Sequence, residues 1–60
     1  MIPYAVIVPH SRTTPDRRNL RWWECELHHA DGHESHPMRP FWSVSEARSW
    51  AQGEGYEVRD

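Results

Sequence analysis

The chain has one cysteine, no lysine and no apolar run longer than the five residues 4–8. A single thiol, Cys25, excludes an internal disulfide, and an unpaired cysteine fits a reducing compartment better than a secreted framework. The run Tyr4-Ala5-Val6-Ile7-Val8 is bracketed by Pro3 and Pro9 and follows no charged segment. It therefore reads neither as a signal peptide nor as the roughly 20 apolar residues that span a bilayer. A cytoplasmic protein with no membrane contact is expected. Also missing are a Gly-rich phosphate loop, a Ser-His-Asp set and an HExxH motif. With no cleft-building length to compensate, the expectation is a non-enzyme without cofactor.

Sixty residues allow one domain, 1–60. A chain this short buries only about 60% of the surface exposed when unfolded, so large side chains must supply much of the core. Four tryptophans, Trp22, Trp23, Trp42 and Trp50, are the candidate staple. Charge is uneven. Residues 1–23 carry Arg12, Arg17, Arg18 and Arg21 against Asp16, whereas residues 24–60 carry three arginines against eight acids. Such polarity orients a partner and says nothing of the fold.

Residues 2–8 alternate and are rich in β-branched side chains, which predicts a strand with Ile2, Tyr4, Val6 and Val8 on one face. The polar stretch 10–19, with Thr-Thr-Pro-Asp at its centre, predicts a loop or mobile arm. Residues 20–29 predict a second strand, and Asp31-Gly32 a two-residue type I′ turn. In that register 29 faces 34, 27 faces 36, 25 faces 38 and 24 faces 39. Trp23, Cys25 and Leu27 then lie inside with His36 and Met38, while Trp22, Glu24, Glu26 and His28 lie outside with Arg39 opposite Glu24. Pro37 and Pro40 make the third strand an edge or irregular. Ser43-Val44-Ser45-Glu46 is a capping box opening a helix with Val44, Ala47, Trp50 and Ala51 on one stripe. Trp42 is placed to staple onto Ala47, and Gly53 or Gly55 to end the helix. Residues 56–58 form a last short strand. The expected fold is α+β, a three- to four-stranded antiparallel sheet covered on one face by one helix, in the order β-β-β-α-β.

Three sets of residues are candidates for function. Adjacent in a strand, Trp22 and Trp23 must point opposite ways. An outward Trp22 beside Glu24, Glu26 and Arg39 has the composition of a protein-binding hot spot, unless it is covered by the 10–19 segment or stacked on Arg39 or Arg21. A small protein-binding or regulatory module contacting its partner through this face is the leading reading. The second reading is DNA or RNA binding, with Arg12, Arg17, Arg18 and Arg21 on phosphates and Trp22 stacking on a base. The third is a zinc-stabilised hairpin, because Cys25, His28, His33 and His36 have compact ligand spacing. Strand alternation argues against it by sending Cys25 and His28 to opposite faces. Proline-limited edges and spare aromatic surface are also compatible with a homodimer.

The pattern Trp23-x-Cys25-x-Leu27, Asp31-Gly32, Phe41 and Ser45-Glu46-Ala47-Arg48-Ser49-Trp50-Ala51 resembles the arm-type DNA-binding domain of phage-type tyrosine recombinases. The resemblance covers about residues 20–52. It implies a three-stranded sheet packed on one helix, a phage or mobile-element origin, and an exposed sheet face that enters the major groove. Here that face would present Glu24, Glu26 and Trp22, and its carboxylates would be repelled by phosphates.

Overall fold

A computed structural model describes residues 1–59. The elements are β1 (Tyr4–Thr13), β2 (Asn19–His28), β3 (Glu34–Ser35), α1 (Val44–Gly53) and β4 (Glu57–Arg59), and the strands form one sheet in the order β3-β2-β1-β4. The α+β class, with one helix against one side of the sheet, is as expected. The sheet is mixed, because β4 pairs parallel to β1 (Ala5↔Val58). β1 and β3 are each antiparallel to β2, so β3 and β4 point the same way. They are joined through α1, the kind of long crossover that parallel strands require.

The dominant feature is an antiparallel ladder of β1 with β2, running from Tyr4↔His28 to Thr13↔Asn19. It absorbs half of the 10–19 stretch expected as loop and leaves 14–18 as connection. Polarity was the misleading signal, since a ribbon with water on both sides needs no apolar alternation. The Thr14 amide donates to the Arg18 carbonyl (2.8 Å) and the Arg17 amide to the Thr14 carbonyl (2.9 Å), enclosing Pro15-Asp16-Arg17. This is a three-residue hairpin loop, in which Pro15 sets the first torsion and the third residue is left-handed. That residue is Arg17, with φ 66°.

The second turn has the same design. His29 accepts from the Gly32 amide (2.9 Å) and donates to the His33 carbonyl (2.9 Å), so Ala30-Asp31-Gly32 is a three-residue loop with Gly32 at φ 95°. The expected two-residue turn is thereby corrected, and the register moves by one. Leu27 faces Ser35 and His28 faces Glu34. A slip of one residue exchanges the faces of every following side chain.

After Ser35 the ladder breaks. Phe41 returns to β2 and exchanges both backbone hydrogen bonds with Trp23, each 2.8 Å. Four steps along β2, from Leu27 to Trp23, are thus matched by six steps from Ser35 to Phe41. The surplus bows outward between Pro37 and Pro40, with Met38 at φ 55° and 79% exposed. The expected pairs 25–38 and 24–39 do not form, because two residues lacking an amide donor interrupt the pairing.

The helix begins as its cap predicts. Ser43 Oγ accepts the Glu46 amide at 3.1 Å, while the Glu46 carboxylate reaches one residue further back, to the Trp42 amide (3.3 Å). It ends in a Schellman motif: Gly55 donates to Gln52 (3.1 Å) and Tyr56 to Ala51 (2.9 Å), with Gly55 at φ 92°. The stripe Ala47 and Ala51 seats on Ala5, Cys25, Leu27 and Phe41, and these six form the buried core. Alanines on both sides let helix and sheet approach closely. The tryptophans are less of a staple than their bulk suggests. Trp23 and Trp50 cover the core rim, Trp22 lies on the other face, and Trp42 is 68% exposed rather than stapled onto Ala47. Phe41 fills that place, with its ring 5.6 Å from that of Trp50.

The two hairpin loops test each other. At Gly32 an added methyl group meets no atom within 4 Å, so Gly32→Ala costs only the left-handed strain, about 1 kcal/mol. Arg17→Gly relieves the same strain and, after glycine's entropy, is expected to add about 0.5 kcal/mol. Urea titrations at unchanged m-value measure both, and opposite signs are the expected result.

Candidate functional site

Alternation along the ladder divides the chemistry in two. Ala5, Ile7 and Pro9 pair with Leu27, Cys25 and Trp23 on the helix side, whereas Tyr4, Val6, Val8, His10 and Arg12 pair with His28, Glu26, Glu24, Trp22 and Leu20 on the open side. The inside and outside assignments expected for β2 hold. Those for the third strand do not.

Trp22 is half-buried on the open side. Its Nε1 donates to Glu24 Oε2 at 2.7 Å, and its ring stacks on His10 with centroids 5.7 Å apart. His10 Nε2 is 3.6 Å from the same carboxylate oxygen. His10, the first residue of the 10–19 stretch, therefore shelters the indole, from the adjacent strand and not from a loop, and no arginine stacks on it among the described contacts. A second group lies toward the other end. His28 Nε2 is 2.7 Å from Glu26 Oε1, its Nδ1 is 3.5 Å from Glu34 Oε1, and its ring stacks on Tyr4 at 4.3 Å. The Arg59 guanidinium lies 4.1 Å from the Tyr4 ring centre. This row, crossing from β3 to β4, was missed in the sequence because Glu34 joins it only in the observed register. The spacing Glu26-x-His28 was the one signal available.

Arg39 leaves the face to which it was assigned. Its guanidinium lies 5.3 Å from the Phe41 ring and 5.8 Å from that of Trp50, on the helix side. The bow between the prolines carries it there, so Trp22, Glu24 and Glu26 stay together without their expected cation.

The four candidate zinc ligands do not converge. Cys25 is buried, its thiol 3.8 Å from the Ala47 carbonyl, and burial raises its pKa. His28 lies on the opposite face. His33 sits at the turn, hydrogen-bonded to Asp31 and stacked on His29 (4.1 Å). His36 borders a shallow groove of about 340 Å³ with Val8, His10, Glu24 and Glu26.

Arg12, Arg17, Arg18 and Arg21 are all exposed on the ribbon. Arg18 pairs with Asp16 (Nε to Oδ2 3.1 Å), while Arg12, Arg17 and Arg21 have no carboxylate partner among the described residues. Arg12 faces the open side opposite Leu20, and Arg21 the other side opposite Ser11. Basic groups thus flank both faces and the tip. A second groove, of about 360 Å³, lies at the ribbon's base between Pro9, His10, Arg21, Trp22 and Trp23. Among the described residues, no helix is long and apolar enough to cross a membrane. The chain matches no family model, no curated protein and no solved structure.

Two titrations follow from these environments. The His33 amide, and then the His33 side chain, hold the Asp31 carboxyl below its ordinary range. Being depressed on folding, it favours the native state above its unfolded pKa, and that contribution is lost as pH falls through the folded value. A carboxyl-carbon NMR titration should show the Asp31 pKa raised only part of the way in His33→Ala, because alanine keeps the amide that is the larger cause. Cys25, raised by burial, should resist thiol reagents at pH 8 in the native protein and react once denatured.

Proposed function

We propose that this protein is a non-catalytic module that binds nucleic acid through its protruding β1–β2 ribbon. The observation carrying this reading is the segregation of charge along the ladder. Four arginines and one acid occupy the ribbon end, and the remaining acids lie elsewhere. From the Thr13–Asn19 rung to the Val8–Glu24 rung, where the sheet's first carboxylate lies, is five residues, roughly 17 Å at strand spacing. That is close to two Debye lengths of about 8 Å at physiological salt. The sheet's carboxylates are therefore largely screened from whatever the ribbon tip touches, with Glu24 the nearest to Arg21, and a net charge of −2 weighs less against a phosphate partner.

Shape supports the reading too. The molecule measures 45 × 21 × 16 Å, and a two-stranded ribbon is one of the forms that the major groove, about 12 Å wide, admits. The reading departs from the recombinase resemblance in one respect: the ribbon, not the sheet face, makes the contact. The surface first expected to bind a protein, Trp22 with Glu24 and Glu26, ranks second. Its polar groups are already paired with one another, and Arg39 is absent from it.

Binding to duplex DNA, measured from low to moderate salt, should give a log–log slope of roughly −3, about 0.9 per phosphate contacted. Arg12→Ala and Arg21→Ala should each lower that slope by about 1 with no change in melting temperature. No binding at low salt, or variants that bind like the parent, would refute the assignment.

A further inference from the structure

The hydrogen bonding of His28 is incomplete in a specific way. A neutral imidazole carries one N–H. Glu26 Oε1, 2.7 Å from Nε2, is at hydrogen-bond distance and takes it. In that neutral form Nδ1 is a lone pair facing the Glu34 carboxylate at 3.5 Å, and a proton or a metal ion on Nδ1 would complete the pair. The arrangement calls for a positive charge between them.

The distance is one that a metal ion can bridge. A hydrogen bond between such groups measures about 2.7–2.9 Å. Two ligands about 2.1 Å from a tetrahedral zinc ion, one nitrogen and one oxygen, stand about 3.4 Å apart. The observed separation of 3.5 Å leaves room for one ion between the two groups. Glu26 supplies the rest of the arrangement, since a carboxylate on the far nitrogen fixes the tautomer and strengthens the ligating one. The ligand atoms of Glu26, His28 and Glu34 all lie within 4.8 Å of one another.

The surroundings fit this use. His28 is held by its stack on Tyr4 and is 17% exposed, whereas Glu34 at 54% leaves the site open to solvent. The nearby cation Arg59 comes from the far side of β1, lies over Tyr4 and is 3.8 Å from Glu57. It therefore does not occupy the space between His28 and Glu34.

We infer that His28 Nδ1 and the Glu34 carboxylate form a surface site for a divalent transition metal such as Zn²⁺, with Glu26 as the positioning residue on His28. Imidazole with carboxylate selects zinc over magnesium or calcium, which prefer all-oxygen shells. With two protein ligands the other positions fall to water, so the ion exchanges readily. The site shares only His28 with the Cys25, His28, His33, His36 set and does not depend on the ribbon's partner.

Calorimetric titration of tag-free protein with ZnCl₂ at pH 7.5, beside MgCl₂, tests the site. One zinc equivalent should bind and magnesium none. Glu34→Gln, an exposed change that preserves the fold, should abolish binding. Glu26→Gln should weaken it about 10- to 100-fold. ¹⁵N NMR should show zinc perturbing Nδ1 of His28 ahead of the other histidines. Binding that survives Glu34→Gln, that tracks His33 or His36, or no binding at all would overturn the inference. So would an Nδ1 that responds to pH alone, because a proton would then be filling the gap.

Discussion

Everything in this small fold hangs on the antiparallel ladder between β1 and β2. Its rungs, Tyr4↔His28 to Thr13↔Asn19, make it the longest continuous pairing in the molecule. The pleat sends successive side chains to opposite sides, so the ladder simultaneously builds the floor on which α1 sits and the open face behind it. It also runs on past the region that the helix covers. A ten-residue helix is about 15 Å long, whereas a ten-residue strand reaches about 33 Å. The surplus is the ribbon.

That mismatch explains the distribution of chemistry. Where the helix covers the sheet, the core is made of small and medium side chains. Ala5, Ala47 and Ala51 are fully buried and bring the two layers together. Beyond the helix there is no second layer, and both sides of the ribbon are wet and carry arginine. Pro9 sits where this matters. Trp23 spends its backbone groups on Phe41, away from β1, so ladder alternation turns the backbone of its partner Pro9 toward the other, unpaired edge. A proline there offers no amide to a passing strand and blunts an edge that would otherwise invite self-association.

The open face obeys a different logic. Its polar groups satisfy one another in short local sets, Trp22 with Glu24 and His10, and Tyr4 with His28 and Glu26. The set at Glu34 is left incomplete by a proton count when His28 is neutral. Both charge segregation on the ribbon and this local deficit concern which groups face each other, and that is a property of register.

Alternation in β2, the Ser43 cap and a helix stop at Gly53 or Gly55 were legible in the chain because each rests on neighbours close in sequence. Trp23, Cys25 and Leu27 can share a face only one way, and Ser43 meets Glu46 one helical turn on. What only the tertiary structure decided was register and extent. A two- or three-residue loop at Asp31-Gly32 differs by one residue, yet that residue places Glu34 opposite His28 instead of His29. Pro37 and Pro40 announced an interruption without saying that it would bow out by two residues and carry Arg39 to the helix side. The polar stretch 10–19 resembled loop because a hairpin with neither face buried leaves no apolar periodicity to mark its strands. Local backbone preferences are written in adjacent residues, whereas the choice of partner across a sheet is settled by the summed packing of strands, helix and turns.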